Sequence, residues 1–219
     1  MGDLRIKLVS KNPISAFQLF DLPQHNKNVR FVLEGDDYDW LVVWDDLPPS
    51  KGERLSNSIV RGQCSQSRTA LMTYEPSSVK HYGKDYVKQF GLVLTSHEPQ
   101  RLPHKSRRDF PPVGWWYYGG LPEAMAHPTP PQKSHNVSLF HSDKRQTHTL
   151  HAKRFDFLQS MLEGVEGVSG FGRGLRPVHH KAEGIDDFRY HIAVENHISP
   201  HHWTEKLSDC FLGYSLAFY

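Results

Sequence analysis

The chain has 219 residues, 37% of them hydrophobic and 23% charged, so it can bury a core and is not disordered by composition. A net charge of +2 gives no electrostatic case for nucleic acid, and two cysteines, Cys64 and Cys210, imply no disulfide framework. No run approaches the ~18 apolar residues of a transmembrane segment, and residues 1–7 mix charges with single apolar residues, so a soluble chain in a reducing compartment is expected.

The length suits one large domain or two small ones. Residues 5–9 read as a first strand and residues 29–33 as a second, while residues 13–22 fit no single element. Residues 39–45, Asp-Trp-Leu-Val-Val-Trp-Asp, form an apolar run bounded by acids, the pattern of a buried parallel strand. Residues 69–73 are a fourth strand, ending at Tyr74-Glu75-Pro76-Ser77-Ser78. A helix-like stretch follows at 79–90, then a fifth strand at 92–95 that ends in His97-Glu98-Pro99. Strands alternating with helices predict an open α/β sheet, whose ligand crevice lies beyond the carboxyl ends of the strands. Glu75 and Glu98 both sit at such ends.

Residues 99–132 are dense in proline and carry the basic run Lys105-Ser106-Arg107-Arg108, which predicts a linker between domains 1–98 and 133–219. Its aromatic cluster Trp115-Trp116-Tyr117-Tyr118 suits either packing against a core or a surface for sugar rings.

In the second domain, residues 137–140 read as a strand and residues 150–162 as a helix with Leu150, Arg154, Phe157, Leu158 and Met161 on one face. An inward arginine needs an anionic partner such as a ligand phosphate; the alternative is that it snorkels or pairs with a local carboxylate such as Asp143. A short strand at 165–169 leads into Gly170-Phe-Gly-Arg-Gly174, which is not a dinucleotide fingerprint and reads as a turn. Residues 190–194 form the next strand. A polar loop with Pro200, His197, His201 and His202 leads to Thr204, a suitable N-cap, and to a helix with Leu207, Cys210, Phe211 and Tyr214 on its apolar face. Lys206 in the first turn opposes the helix dipole, a cost that a nearby phosphate would offset.

Val194-Glu195-Asn196, a short loop, and Thr204-Glu205-Lys206 resemble the signature of the α1,3-fucosyltransferases, which carry Phe-Glu-Asn, a loop, an aromatic and Thr-Glu-Lys. Val194 stands at the Phe and His202 at the aromatic. The resemblance covers residues 130–219 well and the first half weakly. It implies a GT-B-like fold, two Rossmann-like domains facing a cleft. Residues 1–98 would be the acceptor side and 133–219 a GDP-sugar-binding domain, incomplete because the chain stops inside the apolar run 216–219. It implies transfer of fucose from GDP-fucose to a saccharide hydroxyl with inversion, with no metal or other cofactor, in a bacterial-type soluble protein of the cytoplasm or membrane periphery. Glu75 is then the general base, with Glu98 as the alternative. Arg154 and Lys206 would hold the diphosphate, Glu205 the ribose, and Asn196 the donor near its phosphates or fucose, with Glu195 and His202 completing the donor site. The competing expectation is a truncated, non-catalytic carbohydrate-binding homologue. His179, His180, His191, His197, His201 and His202 lack metal-site spacing, so no metal centre is expected.

Overall fold

A computed structural model describes residues 3–11, 28–48, 59–111 and 129–219. The chain divides into two compact units: Met1–Pro112 with Ser199–His201, and Val113–Ile198 with His202–Tyr219. Each is built on a sheet whose described strands all pair in parallel, as the alternation of elements predicts for an α/β protein. Residues 13–22 and the aromatic cluster 115–118 lie outside the described residues.

The N-terminal unit contains β1 (Leu4–Ser10), β2 (Val29–Val32), β3 (Trp40–Trp44), β4 (Thr69–Met72), β5 (Leu92–Thr95) and β6 (Arg107–Asp109), in the order β2-β1-β3-β4-β5-β6. Val9, Val43, Leu71 and Val93 lie opposite one another in register, forming an apolar row across one face. Val87, Phe90 and Leu102 roof that row. Leu71 and Val93 are wholly buried, each contributing about 1.5–3 kcal/mol relative to exposure.

Two expectations change here. The linker begins later than residue 99, because Leu102 packs into the core and β6 joins β5 as an edge strand. An edge strand buries no full face, so Arg107-Arg108-Asp109 carries no hydrophobic signal. The helix expected over 79–90 shrinks to α1 (Lys84–Val87). The Val79 and Lys80 amides turn back to the Pro76 carbonyl, and the side chains of Lys80 and Tyr82 are drawn to Asp45 instead of lining a helix face.

The C-terminal unit contains β7 (His135–Phe140), α2 (His151–Gly164), β8 (Val168–Phe171), β9 (Phe188–Ile192), α3 (Glu205–Leu212) and β10 (Leu216–Phe218), with sheet order β10-β9-β7-β8. Leu139 and Gly170 are register partners, and a Cβ at Gly170 would lie 2.9 Å from Leu162 of α2. Helix α2 therefore covers that face, and glycine is what admits it so closely. Phe140 faces the other way, against the Ala182 and Ile185 cluster that Leu212 also packs on. The glycine-rich turn loses its first two residues, Gly170 and Phe171, to β8; Gly172 (φ 105°) and Gly174 (φ 86°) make the turn itself.

The apolar faces of the helices differ from those the spacing predicts. In α2, Leu158 is buried but Phe157 is 46% exposed. In α3, Cys210 is buried while Phe211 faces outward, as does Tyr214 just past the helix end, and Asp209 turns inward at 1% exposure to meet Lys181 at 2.9 Å. The ion pair, which periodicity cannot report, rotates the buried stripe.

Ser138 and His191 are register partners in β7 and β9, buried together, with Oγ and Nδ1 2.8 Å apart. Burial, reinforced by Lys181 and Arg154, pushes the imidazole down to about 3. The unfolded imidazole titrates near ~6.5. Between those values the unfolded chain binds a proton that the folded chain refuses. This contribution is therefore complete above the unfolded value and is lost as pH falls below it, at up to ~1.4 kcal/mol per pH unit. Urea unfolding at about pH 7 and about pH 5 should show His191→Gln losing less stability between the two than the parent does. Equal losses would mean that His191 is not the buried neutral base.

Candidate functional site

In the C-terminal sheet, β8 lies on one side of β7 and β9 on the other, so the strand order reverses between β7 and β9. The carboxyl ends of two such strands diverge and leave a crevice with unpaired carbonyls. Arg154, from the first turn of α2, reaches into this place. Its Nε donates to the Val194 carbonyl (2.8 Å) and one terminal nitrogen donates to the Phe140 carbonyl (2.6 Å). The alternative partner Asp143 is not what Arg154 meets; the direct partners are backbone carbonyls, which bond the guanidinium without carrying a charge. Burial lowers its pKa, and the charges of Glu195 and Glu205 act the other way.

Glu195, just beyond β9, accepts from the Thr204 amide (2.9 Å) and from the Thr204 hydroxyl (2.8 Å), and pairs with Lys206 (3.2 Å). Tyr219 also donates to it at 3.3 Å. Thr204 is the N-cap of α3, as predicted, accepting from the Lys206 amide. The helix start therefore already faces one anion, the carboxylate of Glu195. That explains how Lys206 is tolerated in the first turn: its ammonium bonds Thr204 Oγ1 (2.9 Å) and lies 3.4 Å from Glu205.

Glu205 also lies 3.5 Å from Lys181. Burial raises its pKa, but Lys206, Lys181 and the Thr204 hydroxyl together outweigh that and hold the carboxyl below its ordinary value. Arg154, Lys181 and Lys206 thus stand beside Glu195, Glu205 and Asp209, three cations with three carboxylates.

The structure brings Arg154, Glu195, Glu205 and Lys206 into one electrostatic cluster. Asn196 adjoins it: its carbonyl accepts from the Leu150 amide at the start of α2 (3.1 Å). Its side-chain Oδ1 is buried and has no hydrogen-bond partner among the described residues, an arrangement costing about 1–3 kcal/mol unless a ligand donor meets it. His202 stacks edge-on against His197, with ring centroids 5.0 Å apart. Glu75 belongs to the N-terminal unit, at the carboxyl end of β4, where its carbonyl bonds His97 Nε2 at 2.8 Å. Among the described residues, no group of three or more His, Cys, Asp or Glu side chains is arranged to hold a metal, and no helix is long and apolar enough to cross a membrane.

Comparison with known protein families, characterised proteins and solved structures finds no match. Sequence reasoning missed Lys181, which sits in a polar segment with no periodicity; only its meeting with Asp209 and Glu205 reveals it. It also treated Glu195 as a ligand contact, whereas the carboxylate is taken up by the start of α3.

Because Glu195 and Thr204 act as one group, their substitutions should not add. Thr204→Ala should cost about 1 kcal/mol as a lost cap, and Glu195→Ala about 2 kcal/mol because it removes the acceptor of the Thr204 amide and one of the two carboxylates beside Lys206. Denaturant unfolding of both variants and the double variant should give a coupling above about 0.5 kcal/mol. Strict additivity would show that the junction is not held by this pair.

Proposed function

We propose that the chain is a fucosyltransferase-like glycosyltransferase that uses GDP-fucose and a saccharide acceptor and inverts the anomeric centre. In this reading the two parallel α/β units are the acceptor and donor domains of a GT-B transferase. The observation that supports it best is Arg154 at the β7/β9 reversal, anchored to the ends of both strands and within the electrostatic reach of Glu195 and Glu205, the two carboxylates that Lys206 pairs with. Two cations of opposite origin, one strand-anchored and one on a helix start, suit a diphosphate leaving group.

The chemistry then divides among the named residues. Glu75 takes the proton from the acceptor hydroxyl. The acceptor oxygen attacks the anomeric carbon from the face opposite the nucleotide. The bond from that carbon to the phosphate oxygen breaks, and GDP leaves with the electron pair. Arg154 and Lys206 stabilise the charge that develops on it. Glu205 accepts from the ribose hydroxyls, and the buried Asn196 Oδ1 accepts from the donor. His202 occupies the position of the family's aromatic. Lys206 must exchange its contacts with Glu195 and Glu205 for phosphate oxygens, so binding should weaken as salt rises.

Calorimetry with GDP tests the donor site. Arg154→Ala and Lys206→Ala should each weaken binding by at least about tenfold, the ~1.4 kcal/mol of one charge-assisted contact. Unchanged affinity in both variants removes the phosphate assignment. GDP release from GDP-fucose, with lactose as a probe acceptor, tests the base. Glu75→Gln should lower kcat by about 100-fold or more with GDP affinity intact. GDP binding without turnover in the parent chain would favour the non-catalytic reading.

A further inference from the structure

The N-terminal sheet has its own reversal of strand order, between β1 and β3. Asp45, the first residue after β3, lies there at 1% exposure with φ 66°, a left-handed conformation rare outside glycine. Such a backbone persists where its surroundings over-determine it, and here they do. Lys11, just after β1, lies 2.6 Å from one carboxylate oxygen. Lys80 lies 3.2 Å from the other, which also accepts from the Tyr82 hydroxyl. Lys80 further bonds Asp46 at 2.9 Å.

Two of the donors on this carboxylate, Lys80 and Tyr82, come from the segment that follows Glu75. The Val79 and Lys80 amides both close on the Pro76 carbonyl, at 2.9 and 3.0 Å. On the far side, buried His97 bonds the Glu75 carbonyl, and Ser77 donates to Glu98 at 2.8 Å. His97 is itself fixed: its amide donates to Thr95 Oγ1, Arg107 donates to its carbonyl, and its ring packs on Tyr82. Before Glu75, Tyr74 sets its ring edge-on against Trp44. The turn is thus tied to β3 by one cation and to the end of β5 by one imidazole.

We propose that Lys80 and His97 are positioning residues that clamp the Glu75 turn between the ends of β3 and β5 and so set the direction of the Glu75 carboxylate. The catalytic half of this inference rests on the reading of Glu75 as the base; the clamp itself does not. A proton acceptor displaced by about an ångström loses much of its effect, which gives a buried, strained ion pair in this place a task beyond stability.

Lys80→Met and His97→Gln test it separately, each checked for a cooperative melt. Hydrogen exchange of the segment 74–80, followed by mass spectrometry, should speed up by about tenfold or more in either variant relative to the remainder of the sheet. Unchanged exchange in both variants overturns the clamp, whatever the turnover. With GDP-fucose and lactose, Lys80→Met should lower kcat by about tenfold, leave GDP affinity unchanged, and add nothing to the loss in Glu75→Gln. Parent-like kcat in both clamp variants, with Glu75→Gln inactive, overturns the positioning role while sparing the base. Full turnover in Glu75→Gln overturns the base itself, and with it the positioning role, and leaves the exchange result to decide the clamp.

Discussion

The C-terminal unit turns on one buried carboxylate. Glu195 lies three residues beyond the end of β9 and takes hydrogen bonds from the amide and hydroxyl of Thr204, an ion pair from Lys206 and a hydroxyl from Tyr219. A carboxylate at 9% exposure is costly unless its lone pairs are filled, and here the filling groups are the start of α3 and the residue after β10. The acid therefore joins the strand to the helix that follows it, and places the first turn of α3 beside Arg154. A solvated glutamate would leave that junction to loop entropy.

Parallel sheets shape the remainder. Where strand order reverses, the last carbonyls of neighbouring strands lose their continuation and need donors. The C-terminal unit supplies Arg154, bonded to the carbonyls of Phe140 and Val194. The N-terminal unit supplies Lys80, bonded to the Asp45 carbonyl (3.4 Å) and to its carboxylate. In each unit a long cation from a segment that follows a strand of the same sheet closes the reversal: Arg154 after β7, and Lys80 after β4. The same sheet geometry serves different chemistry: Arg154 is bonded directly only to backbone carbonyls, whereas Lys11 and Lys80 pair directly with the Asp45 carboxylate.

Much of the framework is legible from residue order. Strand β5 occupies the expected 92–95, and β1, β2, β3, β4, β7 and β9 lie within two residues of their expected bounds, because continuous Val, Leu and Trp runs between acids or turn residues have few other uses. The N-cap at Thr204 is readable because capping is local chemistry, settled within three residues. Helix 79–90 is not, because Lys80 and Tyr82 spend their side chains on Asp45, 35 and 37 residues away in sequence. Strand β6 is hidden by its polarity, and β8 is displaced by the turn at Gly167 (φ 82°).

For the candidate site, the sequence by itself determined the strand, loop and capped helix that carry Glu195, Thr204 and Lys206, since periodicity and capping are short-range properties. It also marked Arg154 as an inward charge. Tertiary structure alone decided what each charge meets. It gave Arg154 two carbonyls, gave Glu195 to the start of α3, and turned Asp209 inward to Lys181. Ion pairs and carbonyl contacts join residues far apart in the chain, and which of several available partners a charge takes is set by the register of the strands that bring them together.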